Sequence, residues 1–187
     1  MTTWRDRISQ VIEREPWDLH TARLDLLPIT REHAAVLSPV LADPEIYQFT
    51  GGSPPSLEVL TRGLVRWESR RSPDGSELWL NWLVRIRASG AAAGYVQTTI
   101  AAGEDEAALA WVLGVSAQGR GYATEAARGV LEWLLGHGAT RFRACIKPAH
   151  VASQRVAERL GLTRSGRWID GEEVWFLETA APQPVDI

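Results

Sequence analysis

The stretch Ala107-Ala-Leu-Ala-Trp-Val-Leu-Gly-Val115, followed by Ser116-Ala-Gln-Gly-Arg-Gly-Tyr-Ala123, decides the fold of this chain. The apolar run predicts a buried strand, and the pattern from about Thr124 to Leu135 predicts a helix directly after the loop. A strand, a loop with two glycines and a helix start make a cradle for a phosphate group, because free backbone N–H groups and the helix dipole both favour an anion there. Gly119 and Gly121 let the backbone approach that anion closely. The spacing lacks both the Gly-Lys-Ser/Thr ending of a P-loop and the Gly-x-Gly-x-x-Gly pattern of a dinucleotide site.

The same loop and two segments downstream carry a family resemblance. Gln118-Gly-Arg-Gly-Tyr-Ala123 fits the pattern Gln/Arg-x-x-Gly-x-Gly/Ala, and Glu125-Ala-Ala follows it. Further along lie Ile146-Lys-Pro-Ala-His-Val-Ala-Ser153 and Ala157-Glu-Arg-Leu-Gly-Leu162. In this order the residues resemble the acetyl-CoA-binding core of the GNAT superfamily of CoA-dependent N-acyltransferases. The resemblance is greatest to the branch that contains the ribosomal-protein N-terminal acetyltransferases.

The resemblance implies a fold as well as a ligand. It extends from Leu24 to about Glu178 for the fold and covers 107–162 for the motifs. The implied fold is α/β, with a mixed, mostly antiparallel central sheet of about seven strands and about four helices on its two faces. In this family the fourth and fifth strands splay apart, which here are the strands 107–115 and 141–147. The implied cosubstrate is acetyl-CoA. No metal is expected, because the four histidines show no ligand spacing.

Composition limits the classes of partner and compartment. The formal charge of −3 and the pI near 5.8 argue against a nucleic-acid-binding surface, which needs clustered basic charge. Cys145 is the only cysteine, so no internal disulfide can form, which fits a reducing compartment. The first residues lack an apolar signal-peptide core, and no run of about 18 apolar residues occurs. We therefore expect a cytoplasmic protein without a membrane partner.

The pattern along the chain predicts one domain with two terminal extensions. Residues 1–20 are predicted to form a helical arm, in which a helix over 3–14 ends at Pro16. Residues 21–179 are predicted to form a single GNAT-like domain, and 180–187 a flexible tail. The arm either packs on its own domain or forms a dimer contact or a lid, so both a monomer and a homodimer are open. The strands predicted within the domain are 21–27, 77–87, 92–101, 107–115, 141–147 and a hairpin over 163–178, and the helices are 31–41, 56–70, 124–135 and 151–160.

The resemblance assigns cofactor contacts to the loop and its flanks. Backbone groups of Leu113 and Val115 are expected to hold the pantetheine arm in the manner of an added strand. Gly114 between them favours either a β-bulge or simple entry into the loop. Arg120 either adds charge to the phosphates or faces solvent, and packing of Tyr122 between helix and sheet is the alternative to a ligand contact. The full expected set is Leu113, Gly114, Val115, Gln118, Gly119, Arg120, Gly121, Tyr122, Ala123, Thr124, His150 and Ser153.

Two residues at the start of the last predicted helix are candidate catalytic residues. His150 stands where the family more often has Asn, and it either contacts CoA or exchanges protons, because an unperturbed imidazole has a pKa of about 6.5. Ser153 stands where this branch often places a hydroxyl near the thioester sulfur. It either positions or protonates the thiolate, or only stabilises the helix start. Ala157 replaces the tyrosine that many relatives carry, so a tyrosine acid from this helix is excluded.

The resemblance also implies that the segment between the two early helices forms one wall of the acceptor site. This makes Tyr47 and Phe49 candidates, with ordinary core packing as the alternative for both. Three strand residues near the presumed cleft are further candidates: Trp82, Gln97 and Trp111. The carboxylates considered as general base are Glu45, Glu77, Glu104, Asp105 and Glu106, with a water relay as the alternative.

The phosphate cradle and the family resemblance together imply an N-acetyltransferase. A primary amine, either a peptide N-terminus or a small-molecule amine, is expected to attack acetyl-CoA directly in a ternary complex. The alternative from another class is a non-catalytic acetyl-CoA-binding or sensor domain, which the missing tyrosine and the unassigned base leave open. A nucleotide-phosphate binder is less favoured, because no Asp or Lys partner for a magnesium nucleotide accompanies the loop.

Overall fold

The computed structural model describes residues 2–14 and 17–180, and in these ranges eight strands form one sheet with six helices on its two faces. The strands are β1 (Leu19–His20), β2 (Leu24–Pro28), β3 (Glu77–Ile86), β4 (Ala92–Ala101), β5 (Ala107–Leu113), β6 (Arg141–Ile146), β7 (Thr163–Ile169) and β8 (Glu172–Glu178). The helices are α1 (Trp4–Arg14), α2 (Ala34–Leu37), α3 (Tyr47–Thr50), α4 (Leu57–Glu68), α5 (Tyr122–Gly136) and α6 (Val151–Leu160). Short 3-10 turns lie at Arg31–His33, Pro44–Ile46 and Val115–Ala117.

The sheet opens between β5 and β6. The strand order is β1-β2-β3-β4-β5-β6-β8-β7, and every pair is antiparallel except β5 with β6. That parallel pair is joined only at Ala107–Phe142 and Ala108–Arg143, so the two strands separate from Leu109 onward. The predicted splay is thus confirmed. The expected strand and helix numbers were too small, because β1 has two residues and α2 and α3 are single turns.

Alternation along β3 divides its apolar side chains between the two faces of the sheet. Leu78, Leu80, Trp82 and Val84 are fully buried on one face, in a cluster that also contains apolar residues of α1 and α5. Leu83 points to the other face, where residues of α2 and α4 form a second cluster. A third cluster joins α6 to β6 and β8. The alternating pattern of the sequence therefore predicts which β3 side chains share a face, and the structure shows which helices cover each face.

The N-terminal helix α1 is part of the main core. Trp4, Ile8 and Ile12 lie at helical spacing and are buried there. The Trp4 indole N–H donates to the Asp105 carboxylate over 2.6 Å, and Arg71 pairs with Glu13 at 2.7 Å. The apolar face of this helix therefore packs on its own domain. The expected helix end at Pro16 lies outside the described residues, as do 181–187 of the expected tail.

A buried carboxylate fastens β2 to β3. Asp25 is 8% exposed, and its oxygens lie 3.0 Å from His20 Nδ1, 3.0 Å from Arg85 Nη2 and 3.2 Å from Arg87 Nε. Arg87 also donates to the carbonyl oxygens of Thr21 and Leu24. The hydrogen bonds from His20 and the two arginines lower the pKa of Asp25 to about 2. This network holds the turn that precedes β2.

Substitution Asp25→Asn is expected to lower the melting temperature at neutral pH, because three donors lose their charged acceptor. The pKa of Asp25 is lower in the folded protein, about 2, than the ordinary 3.8. Its contribution is therefore complete above the ordinary pKa and is lost as the pH falls towards 2. Thermal unfolding followed by circular dichroism should show a difference from wild type that shrinks at about pH 3. The exposed Asp18→Asn serves as the control, and a difference independent of pH would contradict the assignment.

Candidate active site

A cleft of about 550 Å³ lies where β5 and β6 separate. Its walls come from the end of β5, the loop before α5, the first turn of α5, the start of α6 and the segment around α3. The sequence-predicted residues that line it are Phe49, Trp111, Leu113, Gln118, Gly119, Gly121, Tyr122, Ala123, Thr124, His150 and Ser153. The splay thus gathers residues from five separate elements around one space.

The loop before α5 has the backbone of an anion cradle. Gly119 and Gly121 have φ values of +71° and +80°, which favour glycine, and Gly121 is the N-cap of α5. The Gln118 side chain donates to the Leu113 carbonyl over 3.0 Å and ties the loop to the end of β5. The N–H groups of the first helical turn have no acceptor within the helix. The buried Thr124 hydroxyl also has no hydrogen-bond partner among the described residues. This end of the cleft fits the diphosphate of a coenzyme.

The open edge of β5 fits the amide-bearing arm of such a coenzyme. From Leu109 to Leu113 the strand pairs with β4 but not with β6. Backbone groups on that side are free to bind an extended chain that carries amides, as in strand addition. Trp111, Val112 and Leu113 line the cleft along this edge. A ligand with a diphosphate at one end and an amide-containing arm matches both parts of the cleft.

Ser153 and His150 face the cleft from the start of α6. The Trp111 indole N–H donates to Ser153 Oγ over 3.3 Å and so links β5 to α6 across the splay. The His150 ring stacks on Phe49, with centroids 4.3 Å apart and planes at 15°. Burial lowers the pKa of His150 below its usual value, and its buried Nδ1 has no hydrogen-bond partner among the described residues. His150 is therefore a neutral imidazole near neutral pH.

Three residues expected at the acceptor wall lie elsewhere. Trp82 is fully buried, makes an edge contact with Trp17 at 4.7 Å and donates its N–H to the Trp17 carbonyl. The expectation for it is corrected, because its strand face is covered by α1 and α5. Tyr47 packs in the cluster beneath α2 and α4, and its hydroxyl donates to the Leu41 carbonyl. Gln97 pairs with Asn81 and Ala110 in the middle of the sheet and does not line the cleft.

Three residues expected to contact the cofactor also lie off the cleft lining. Gly114 forms no bulge in the pairing of β4 with β5, which is regular through Leu113. It is glycine because a Cβ there would lie 2.8 Å from Val40 Cγ1. Val115 begins the 3-10 turn, and Arg120 is exposed. Their side chains do not border the cleft.

The carboxylates considered as a base are separated by the fold. Glu104 and Glu106 lie 3.7 and 3.1 Å from Arg143, Asp105 accepts from Trp4, and Glu77 accepts from Trp79. Glu45 lines the cleft, and it is the only acidic residue among the described residues that does. Arg155 and Arg159 also line it, and the sequence prediction missed them. Their spacing of four on a helix that begins at the cleft was the available signal.

Comparison with known proteins is consistent with this geometry. A provisionally named ribosomal-protein-serine acetyltransferase from Vibrio cholerae superposes with a TM-score of 0.68 at 20% identity, covering 87% of this chain and 98% of that chain. An aminoglycoside acetyltransferase solved with coenzyme A gives 0.67 at 20% identity, with 83% and 94% covered. A microcin C7 self-immunity acetyltransferase solved with acetyl-CoA and AMP gives 0.70 at 17% identity, with 84% and 93% covered.

These structural likenesses show a shared fold. No curated protein matches the sequence. Among the described residues, no helix has both the length and the apolar character needed to span a membrane. The family model named acetyltransferase (GNAT) domain matches residues 23–163, which is most of the chain. The chain therefore belongs to the GNAT acetyltransferase family.

Proposed function

We propose that this protein transfers the acetyl group of acetyl-CoA to a primary amine by direct attack in a ternary complex. The observation that carries the proposal is the continuity of the cleft. It runs from the glycine loop, along the unpaired edge of β5, to the pair formed by Trp111 and Ser153. One extended ligand can thus place its phosphates at the loop and its thioester near Ser153.

The two ends of the cleft hold the coenzyme in different ways. The backbone N–H groups of Gly119 to Thr124 bind the diphosphate, and the α5 dipole adds to their attraction. Arg155 and Arg159 supply positive side chains on the facing wall. The free edge of β5 binds the arm through its amides. These contacts fix the thioester without any part of the chain forming a covalent bond to it.

Acetyl-CoA supplies an acetyl group activated as a thioester. The amine attacks the carbonyl carbon of that thioester directly, and the CoA thiol departs. Ser153 Oγ is held by the Trp111 N–H, so its own O–H is free to donate to the departing sulfur. The neutral His150 contributes a ring against Phe49 and an unpaired Nδ1, which suits a contact with the arm better than proton release. A thiol with a pKa of about 8.5 needs only modest help to leave.

The amine must lose a proton before or during attack. Glu45 is the carboxylate at the cleft wall, and we propose that it attracts the ammonium group and accepts its proton, directly or through water. An α-amine has a pKa of about 8, whereas a lysine-like amine has about 10.4. A single exposed carboxylate therefore suits the α-amine of a peptide or a weakly basic small molecule. Two of the solved neighbours are named for different acceptors, a serine of a ribosomal protein and an aminoglycoside. We therefore expect the acceptor wall to differ between proteins of this fold.

The decisive experiment measures free thiol release from acetyl-CoA with a panel of primary amines. The wild type should release thiol with at least one amine, and Ser153→Ala should lower that rate at least about tenfold, because positioned proton transfer contributes at least this much. Its affinity for acetyl-CoA, measured by calorimetry, should stay close to wild type. Ser116→Ala, an exposed serine in the nearby 3-10 turn, is the matched control.

The non-catalytic alternative makes a different forecast for the same experiment. A sensor domain would bind acetyl-CoA with similar affinity but release no thiol with any amine of the panel. Binding without turnover would therefore replace the proposed enzyme by that alternative. Absence of acetyl-CoA binding by the folded wild type would contradict both.

A further inference from the structure

The turn before β2 contacts both the phosphate loop and the first turn of α5. Glu125, in the first turn of α5, accepts hydrogen bonds from Thr21 Oγ1 at 2.6 Å, from the Arg23 backbone N–H at 2.7 Å and from Arg23 Nε at 2.6 Å. These bonds join residues about a hundred positions apart in the chain. They fasten the start of α5 to the turn before β2, at the same end of the sheet as Leu113 of β5.

The rest of the Arg23 guanidinium contacts the phosphate loop and the first residue of α5. Its Nη1 donates to the Arg120 carbonyl over 3.1 Å, and its central carbon lies 4.7 Å from the centre of the Tyr122 ring. A Cβ on Gly121 would lie 3.5 Å from its Nη2. Because C=O and N–H point in opposite directions across a trans peptide, the Arg120 carbonyl facing Arg23 turns the Gly121 N–H away from Arg23. Arg23 thus sets the orientation of a peptide group in the cradle.

Glu125 creates an electrostatic difficulty that Arg23 removes. Its carboxylate lies at the end of α5 where the diphosphate should bind. The negative charge interacts favourably with the helix dipole but repels the diphosphate. Burial raises the pKa of Glu125, but the hydrogen bonds from Thr21 and Arg23 outweigh that effect and hold it below the usual value. The group is therefore ionised near neutral pH. Arg23, with Nε at 2.6 Å, is the positive charge that compensates it.

We propose that Arg23 is a positioning residue for the diphosphate of acetyl-CoA. It neutralises Glu125 and holds the peptide between Arg120 and Gly121 so that the loop N–H groups face an anion. The proposal rests on the proposed function only in its choice of ligand. This role differs from a purely structural one, because loss of a purely structural contact would lower the affinity for every ligand of the cleft alike.

The test compares ligands that contain different parts of the coenzyme. Acetyl-CoA has both the diphosphate and the arm, 3′-phosphoadenosine 5′-diphosphate has the diphosphate without the arm, and S-acetylpantetheine has the arm alone. Arg23→Ala should weaken binding of the two diphosphate ligands at least about tenfold, the effect of losing a charge-assisted contact. Binding of S-acetylpantetheine, followed by NMR chemical-shift titration, should be unchanged.

A second substitution separates charge compensation from simple packing. In the double variant Arg23→Ala/Glu125→Gln, the uncompensated carboxylate is gone, so affinity for the diphosphate ligands should recover in part. Arg23→Lys keeps the charge with fewer donors and should fall between wild type and Arg23→Ala. It also serves as the test variant if Arg23→Ala does not fold. Arg62→Ala removes a similar 2.6 Å ion pair with Glu58 on α4 and is the control for losing a surface pair.

Three results would overturn the proposal. They are unchanged diphosphate binding in Arg23→Ala, an equal loss for S-acetylpantetheine, and no recovery in the double variant. Thermal unfolding of each variant shows whether the protein is folded. A wild-type protein that binds neither acetyl-CoA nor either fragment would instead overturn the proposed function. The two failures are thus distinguished by the first titration.

Discussion

Substitution Gly119→Glu is expected to lower the affinity for acetyl-CoA at least about 100-fold, because two like charges about 4 Å apart repel by several kcal/mol near a protein surface. Gly119 lines the cleft, and a Cβ there would meet no atom within 4 Å. The new side chain therefore meets no steric clash in the folded protein, although the φ of +71° adds backbone strain, and its charge enters the space for the diphosphate. Isothermal titration calorimetry with acetyl-CoA measures the change.

Gly103→Glu is the matched control for this substitution. Gly103 has φ +79°, against +71° for Gly119, and a Cβ there also meets no atom within 4 Å. Both variants carry the same backbone strain and the same added charge, but Gly103 does not line the cleft. Equal losses of affinity in the two variants would contradict a phosphate cradle at Gly119.

Substitution Gly94→Ala is expected to lower the free energy of unfolding by about 3 kcal/mol or more, in the upper range for overpacked sites. Gly94 lies opposite Leu113 in β4 with φ +146°. A Cβ there would overlap the Val112 carbonyl oxygen and lie 2.8 Å from the Leu113 Cα. Both are backbone atoms of β5, so the strand must move. Urea denaturation of wild type and variant measures the loss.

Gly90→Ala separates backbone strain from the clash. Gly90 lies in the turn between β3 and β4 with φ +72°, and a Cβ there meets no atom within 4 Å. It should cost only the penalty of a positive φ, about 1 kcal/mol. Similar losses for both variants would show that close contact between β4 and β5 is not the cause. If Gly94→Ala folds, its displaced β5 should also bind acetyl-CoA more weakly.

Local patterns in the sequence were sufficient to predict the strands and the glycine loop around the site. The alternation along β3, the apolar run of β5 and the glycine spacing of the loop each depend on residues close in the chain. They predicted the strands and the phosphate loop, whereas the splay and most of the expected site residues followed from the family resemblance. Eleven of those expected residues line the cleft. Trp82 shows where such reasoning ends: alternation tells that its side chain shares a face with Leu80, but not that this face meets α1 and α5 instead of the cleft.

The contacts that the sequence did not predict are long-range pairs of polar or aromatic groups. The stacking of Phe49 on His150, the Trp111–Ser153 hydrogen bond and the Arg23–Glu125 pair each join residues from different elements. No periodicity marks such pairs, because each partner has an ordinary local environment along the chain. Their geometry exists only after the helices have packed on the sheet.

The two-pair junction between β5 and β6 has a consequence for the handling of the protein. Exposed strand edges are templates for pairing with other chains, and proteins usually protect them at the periphery of a sheet. Here an edge lies inside the sheet, between two antiparallel blocks that otherwise rely on α5 and α6 for their union. A bound arm would cover that edge. Acetyl-CoA would then protect the folded protein against aggregation in addition to serving as its cosubstrate. Coenzyme A, which carries the same arm, would be a suitable additive for purification and storage.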